Sequence, residues 1–307
     1  MRRVNAIAVR KVATLLLLQG ALLFAQSGPS PKSVGLSHVC TGVQACLQTI
    51  KRDPNNADAL EQLGLAYDGM HQYQQAETAF ASAVRLDPKN ARIHYELGGV
   101  ENSLHRPERA LDAYEQSVAL DPYSPAALLN LGITYAELKR YDDATHAYRA
   151  VITLKPDDGK AYYDIGNAFS NLERHEEARR AFAVAARLMP DDANAHYNLG
   201  NELDELERHS NALIEYEKAA RLKPSSADIQ FNLGNGYHRA QRYAEAAKAF
   251  SLVTKLTPQD ARAHYMLGDC YVRLGMQKLA LAQCGKLKQL NAEMAANLSS
   301  LIAQAHF

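Results

Sequence analysis

Residues 57–90 read ADALEQLGLAYDGMHQYQQAETAFASAVRLDPKN, and this stretch decides the fold. Its first half has apolar side chains three and four positions apart, as on one face of an α-helix: Leu60, Leu63 and Tyr67. After a polar pair at 71 and 72, a second helical series follows: Tyr73, Ala76, Phe80, Ala83 and Leu86. Pro88 has no amide hydrogen and cannot extend the second helix. The stretch therefore predicts a helix hairpin.

The same pattern returns every 34 residues along the chain. Prolines recur at 54, 88, 122, 156, 190, 224 and 258, and glycines at 64, 98, 132, 166, 200, 234 and 268. Glycine inside an exposed helix costs about 1 kcal/mol relative to alanine, so its return in every copy indicates close packing against another helix. A single hairpin cannot bury both of its apolar faces, and the pattern therefore predicts a stack of hairpins with a shared core.

These residues resemble the tetratricopeptide repeat family. The resemblance rests on Leu63-Gly64, Tyr67, Ala76, Phe80, Ala83 and Pro88 and on their six successors. It implies an all-α fold, a right-handed α-solenoid of seven helix-turn-helix repeats of 34 residues with capping helices. The repeats are predicted at 57–90, 91–124, 125–158, 159–192, 193–226, 227–260 and 261–294.

The segments on either side of the repeats are predicted to cap the stack, because terminal repeats otherwise expose an apolar face. Residues 39–56 are predicted to form an N-terminal capping helix and residues 295–307 a C-terminal one. The last repeat departs from the pattern, since Cys284 replaces the large aromatic of the second helix and Ala292 replaces the proline.

The resemblance also implies that the first helices line a concave groove. In repeats four to seven, the groove positions carry aromatic and amide side chains: Tyr163, Asn167, Tyr197, Asn198, Asn201, Phe231, Asn232, Asn235 and Tyr265. Amides can donate to and accept from a peptide backbone, and tyrosines offer apolar area with a polar tip. We therefore expect a peptide-binding groove centred on residues 159–260. The same residue types also stabilise idealised repeats, which is the alternative explanation.

The function that this architecture favours is a non-catalytic scaffold that binds an extended peptide or protein segment. The alternative is a structural or assembly subunit of a cell-envelope complex that makes its contacts through the convex face or the ends. An enzyme or sugar-binding module is a third hypothesis, and it requires a cluster of perturbed ionisable groups that the sequence does not supply. The partner expected is therefore a protein or peptide.

The four cysteines fall into two pairs that are close in sequence. Cys270 and Cys284 occupy the tenth and twenty-fourth positions of the last repeat, which lie almost opposite one another in an antiparallel hairpin, so a disulfide is predicted between them. Cys40 and Cys46 can form a disulfide if Cys40 lies just before the start of a helix. The alternative is that all four cysteines are unpaired and act as small buried apolar residues.

Composition and motifs exclude several other classes of protein. The 34 basic and 34 acidic side chains balance, which argues against nucleic-acid binding through a strong basic field. The histidines fall at repeat positions, no CxxC spacing is present, and there is no Gly-rich phosphate loop or GxSxG element. We expect no catalytic residues, no metal site and no cofactor.

Residues 1–25 have the composition of a secretory signal peptide, with four basic residues, no acid and an apolar run over 12–24. That run is shorter than the roughly 20 apolar residues of a membrane span. Residues 26–38 form a predicted polar linker. Cleavage after Ala25 would leave 30 basic and 34 acidic residues, a net charge of −4, in a periplasmic or secreted protein without a membrane insertion. An uncleaved anchor is the alternative.

The chain recovered from the envelope or medium should begin at Gln26, because signal peptidase cuts after a small residue such as Ala25. N-terminal sequencing and intact mass measurement will check this cut. Recovery of the protein from the membrane fraction with Met1 still present would contradict it and support the anchor.

Overall fold

The computed structural model of the chain describes residues 40–305. Every regular element in this range is an α-helix, and no strand occurs there. This confirms the predicted fold class, an α-solenoid of helix hairpins. The predicted signal peptide at 1–25 and linker at 26–38 lie outside the described residues. The helices form two compact units, one ending at Leu172 and the other beginning at Glu173.

The first unit contains the N-terminal helix, three complete hairpins and the first helix of the fourth repeat. Its helices are α1 (Val43–Arg52), α2 (Ala57–Gly69), α3 (Tyr73–Leu86), α4 (Ala91–Ser103), α5 (Pro107–Leu120), α6 (Pro125–Glu137), α7 (Tyr141–Leu154) and α8 (Gly159–Asn171). The even-numbered helices are the first helices of their repeats, and α2, α4 and α6 each pack on the second helix that follows.

The second unit begins with the second helix of the fourth repeat and ends with a terminal helix. Its helices are α9 (His175–Leu188), α10 (Ala193–Glu205), α11 (His209–Leu222), α12 (Ala227–Arg239), α13 (Tyr243–Leu256), α14 (Ala261–Arg273), α15 (Gln277–Leu290) and α16 (Ala292–Gln304). The terminal helix begins three residues before the predicted 295–307. Asn291 caps it by accepting a hydrogen bond from the Met294 amide, and Ala292 permits a helical start where the other repeats have proline.

Local sequence sets where each first helix begins. In six of the seven repeats, the residue before the helix is an amide, hydroxyl or acid side chain that accepts from a first-turn amide, as Asn56 does from Ala59 and Asp158 from Ala161. Ser226 precedes the sixth repeat without such a bond. The turn to the second helix contains one residue of positive φ in every described repeat: His71, His105, Lys139, Glu173, Glu207, Gln241 and Gly275. Six of these seven are not glycine, so the surrounding backbone hydrogen bonds impose the left-handed conformation.

A glycine–aromatic contact joins the two helices of each of five hairpins. A Cβ placed on the glycine would lie 2.5–2.7 Å from the nearest ring carbon, closer than real Cβ contacts. The pairs are Gly64–Phe80, Gly98–Tyr114, Gly132–Tyr148, Gly200–Tyr216 and Gly234–Phe250. The rings are at most 2% exposed. The helical glycine therefore makes the space that the ring fills.

The seventh hairpin fills the same space from another helix. Cys284 is too small to reach Gly268, and the side chain of Leu298 on α16 packs there instead. Leu298 is fully buried, together with Ala295 and Ile302 of the same helix. The terminal helix thus replaces a missing ring as well as covering the end of the stack.

The disulfide predicted between Cys270 and Cys284 is wrong, since both cysteines are free and buried. The two side chains point into different layers of the core. Cys270 packs with Phe250 of the preceding hairpin, and Cys284 packs with Leu298 of the terminal helix. Burial raises the pKa of the Cys270 thiol to about 12, so this thiol is protonated and unreactive at neutral pH.

The other predicted pair, Cys40 and Cys46, is joined by a disulfide, with the Cα atoms 4.9 Å apart. Cys40 lies before the first residue of α1, which is the condition on which the sequence prediction depended. Cys46 is fully buried against Leu63 and Ala79 of the first hairpin. The disulfide therefore fixes the chain ahead of α1 beside the first repeat.

Histidines at the fourth position of the repeat have a structural role in the loops between hairpins. The Nε2 atoms of His94, His196 and His264 donate to the carbonyls of Pro88, Pro190 and Pro258 at 3.0–3.2 Å. Gln230 makes the same bond to Pro224 in the sixth repeat. These buried donors satisfy a proline carbonyl in four of the seven repeats, and their return at the same position reflects that shared geometry.

Replacing Gly234 by Ala should lower the free energy of unfolding by about 1–3 kcal/mol, because the new methyl group overlaps the Phe250 ring. The matched control is Gly285→Ala in α15, where an added Cβ meets nothing within 4 Å. That change should raise helix stability by up to about 1 kcal/mol. Urea denaturation of both variants will check the pair, and equal midpoints would contradict the packing role of the glycine.

Candidate binding face on the first helices

The side chains at the second, fifth, sixth, ninth, twelfth and thirteenth positions of the first helices form one surface in each unit, here called the first-helix face. Seven of the predicted groove residues lie on this face in the second unit, on α10, α12 and α14: Tyr197, Asn198, Asn201, Phe231, Asn232, Asn235 and Tyr265. Tyr163 and Asn167 lie on α8 in the first unit. All nine are half-buried.

Two of the predicted amides bond to the scaffold. Asn232 Nδ2 donates to Asn201 Oδ1 at 2.9 Å and to the Tyr197 hydroxyl at 3.2 Å. The same Asn201 oxygen accepts from the buried Tyr216 hydroxyl at 2.9 Å. These bonds join the fifth repeat to the sixth, so this part of the amide ladder stabilises the stack.

The first unit contains an equivalent bond that the sequence prediction did not include. Asn130 Nδ2 donates to the hydroxyls of Tyr95 at 3.2 Å and Tyr114 at 3.4 Å. The residues have the same positions in their repeats as Asn232, Tyr197 and Tyr216, with Gly99 in place of Asn201. Asparagine one repeat after tyrosine is the sequence signal that could have identified both networks.

Other predicted residues line an open cavity in the second unit. The cavity has a volume of about 440 Å³, and its lining includes Tyr197, Asp228, Phe231, Asn232 and Arg262. The Arg262 guanidinium lies over the Phe231 ring, 5.1 Å from its centroid, and pairs with Asp260. The cavity therefore combines two aromatic surfaces with an exposed carboxylate at Asp228.

Asn235 and Tyr265 differ in what they contact. In the part of the chain that the structure describes, the Asn235 amide has no side-chain hydrogen bond, and it lies at the ninth position of the sixth repeat. Tyr265 packs on the apolar cluster around Leu287 and Leu298. Asn235 is thus available to a ligand, whereas Tyr265 takes part in the end of the core.

Pairs of ionisable side chains at the edge of the same face were not predicted from the sequence. Arg239 Nη1 lies 2.7 Å from Asp204 Oδ1, and His238 Nε2 lies 2.5 Å from Asp269 Oδ2. Arg273 also pairs with Asp269 at 3.4 Å. These pairs use residues at the ninth, twelfth or thirteenth position of the repeat. Acidic and basic residues at these positions in successive repeats are the sequence pattern from which the pairs could have been predicted. Pairing leaves this edge close to neutral.

Asp164 on α8 lacks the hydrogen bonds that hold Asn130 in the first unit. It occupies the position of Asn130 one repeat later, but Leu129 stands where Tyr95 supplied a hydroxyl. Its Oδ2 atom is buried without a hydrogen-bond partner among the described residues. Burial raises the pKa of Asp164 to about 6, although Lys160 favours the charged form. The carboxylate is ionised at neutral pH at a cost in stability.

The described residues contain neither a metal site nor a membrane span. Within 40–305, no group of three or more His, Cys, Asp or Glu side chains is placed to hold a metal ion. No helix in that range is both long and apolar enough to cross a bilayer.

Stacked hairpins, a glycine–aromatic contact in five of them and a face of first helices in each unit define an α-helical repeat protein. Comparison with protein families matches the tetratricopeptide repeat over residues 61–125, 103–159, 129–193, 163–227 and 231–291, which is more than half of the chain. The chain belongs to the tetratricopeptide repeat family. No curated protein matches it in sequence.

Solved structures of similar fold are repeat proteins as well. YrrB, described as a TPR protein with an unusual peptide-binding site, is 21% identical with a TM-score of 0.54, covering 61% of this chain and 96% of that one. A tetratricopeptide repeat protein from Parabacteroides merdae is 16% identical with a TM-score of 0.56, covering 81% and 99%. MamA from Desulfovibrio magneticus is 24% identical with a TM-score of 0.52, covering 55% and 96%. These likenesses show the fold.

Replacing Asp164 by Asn should stabilise the protein at neutral pH, on the order of 1 kcal/mol, by removing a poorly solvated charge. A carboxyl group whose pKa is raised on folding destabilises the folded protein at a pH above that raised pKa. This penalty disappears as the pH falls toward the ordinary pKa of the carboxyl group. The gain should therefore shrink between pH 6 and 4. Denaturation at several pH values will measure it. Asp157→Asn, at an exposed position seven residues earlier, is the control, and an equal gain there would contradict the argument.

Proposed function

We propose that this protein is a non-catalytic scaffold that binds an extended peptide or protein segment on its first-helix face. The observation that carries the proposal is the cavity of about 440 Å³ on that face, whose lining includes the predicted residues Tyr197, Phe231 and Asn232. A concave site with apolar walls and a few polar groups is the usual form of a binding site.

The contacts available in the second unit suit a peptide. Phe231 and Tyr197 offer aromatic surface to an apolar side chain, and the amide of Asn235 can donate to and accept from a peptide backbone. The network through Asn201 and Asn232 holds Tyr197 in place before any ligand arrives. A surface that is already ordered loses less conformational entropy on binding.

We propose further that binding takes place outside the cytoplasm, in the periplasm or after secretion. The basic and apolar composition of residues 1–25 supports export. The disulfide between Cys40 and Cys46 also supports it, because disulfides persist in oxidising compartments.

The alternative is an assembly subunit that contacts its complex through the second helices. The observation in its favour is the exposed apolar side chains on α11 and α15, where Ile214, Leu279 and Leu281 are 46–52% exposed. They are separate single residues on two helices, and scattered exposure of this kind is common on soluble proteins. The first-helix face therefore remains the better candidate.

A photo-crosslinking amino acid at Asn235 should capture a protein partner in cells, whereas the same amino acid at Ile214 should not. Asn235 lies on the first-helix face, and Ile214 is exposed on a second helix of the same unit. Mass spectrometry of the adducts will identify the partner and the crosslinked segment. Adducts at Ile214 but not at Asn235 would overturn the proposal in favour of the assembly subunit.

A further inference from the structure

The third repeat presents an apolar strip on the first-helix face of the first unit. Its second, fifth, ninth and twelfth positions carry Ala126, Leu129, Ile133 and Ala136. Ala126 is exposed, and the other three are half-buried. At the same positions the second repeat has Arg92, Tyr95, Gly99 and Asn102, and the fourth has Lys160, Tyr163, Asn167 and Ser170.

Three carboxylates occupy the first-helix face on the helices that carry and flank the strip: Glu96 on α4, Glu137 at the end of α6 and Asp164 on α8. All three act on buried tyrosines of the same unit. Burial raises the pKa of Tyr114, and Glu96 and Glu137 both raise it further. Burial likewise raises the pKa of Tyr148, and Asp164 and Glu137 add to that effect.

None of these three carboxylates forms an ion pair with a described residue, although two basic side chains are near. Arg92 is engaged by Glu61, with Nη2 2.6 Å from Oε2. Lys160 stabilises the charge of Asp164 without a hydrogen bond to it. Burial, followed by the charges of Glu61 and Asp68, raises the pKa of Glu96. The helices around the strip therefore carry three carboxylates without an ion-pair partner among the described residues.

We propose that this strip binds a segment of a partner protein in which apolar residues alternate with lysine or arginine. The inference rests on the proposed function and adds the chemical class of the partner. The apolar side chains would cover Leu129 and Ile133, and the cations would pair with Glu96, Glu137 and Asp164. An acidic segment would be repelled by the same carboxylates, as would an anionic lipid surface.

The second unit does not favour a basic segment in the same way. Two of its acids on the first-helix face have partners, since Asp204 pairs with Arg239 and Asp269 with Arg273. The exposed Asp228 lines the same cavity as the Arg262 cation. The carboxylates without a cation lie mainly on the first unit. A basic segment is therefore directed there by charge, and binding should weaken as salt screens the attraction.

The experiment measures binding of two labelled synthetic peptides to the purified chain by fluorescence anisotropy. One peptide alternates lysine and leucine, and the other alternates glutamate and leucine. We expect the basic peptide to bind and the acidic one not to bind. The variant Glu96→Gln/Asp164→Asn should weaken binding of the basic peptide by at least about tenfold. Ile133→Ser should also weaken it while leaving the charges in place.

The matched control is Glu108→Gln/Asp112→Asn, which removes two exposed acids from α5, a second helix of the same unit. It should leave binding unchanged. Asp164→Asn is expected to stabilise the fold. A loss of affinity in Glu96→Gln/Asp164→Asn is therefore not explained by unfolding of the protein. An equal loss in both variants would show non-specific charge attraction and overturn the inference.

Hydrogen exchange of the complex separates this inference from the proposed function. Protection of α4, α6 and α8 by the basic peptide supports both. Preferential binding of the acidic peptide with protection of first helices would overturn this inference and leave the proposed function standing. Protection confined to second helices would overturn both.

Discussion

The contact between a helical glycine and a buried aromatic ring is the constraint on which the rest of the structure depends. It sets the separation of the two helices in each hairpin, because a Cβ on Gly64 or Gly234 would overlap Phe80 or Phe250. Once that separation is repeated, the first helices within each unit present a common face. The seventh hairpin shows that the space must be filled, since Leu298 of the terminal helix packs on Gly268 where Cys284 cannot.

Repetition also explains which polar groups are structural. A residue type that returns at one repeat position meets the same neighbours each time, as His94, His196 and His264 meet the carbonyl of a proline. Asn130 and Asn232 likewise bond to the tyrosine of the preceding repeat. Such residues keep the stack in register, and their recurrence says little about a ligand.

Departures from the repeat carry more information about binding. Leu129 removes the hydroxyl that Tyr95 supplies one repeat earlier, and Asp164 puts a charge where Asn130 has a neutral amide. The result is an apolar strip beside a carboxylate that burial destabilises. Charge and apolar area that the fold does not use are available to a partner. The residues that depart from the repeat pattern therefore define which partner the face can bind, more than the recurring residues do.

The sequence by itself determined the number, length and order of the hairpins, because glycine, proline and apolar spacing act locally and recur seven times. It also located the first-helix face and the nine residues on it. Only the tertiary structure decided how those residues are used, since Asn201 and Asn232 find partners one repeat away whereas Asn235 does not. The same holds for the cysteines: position within the repeat placed Cys270 opposite Cys284, but packing against different neighbours keeps them apart. Side-chain direction depends on contacts across repeats, which spacing along the chain does not specify.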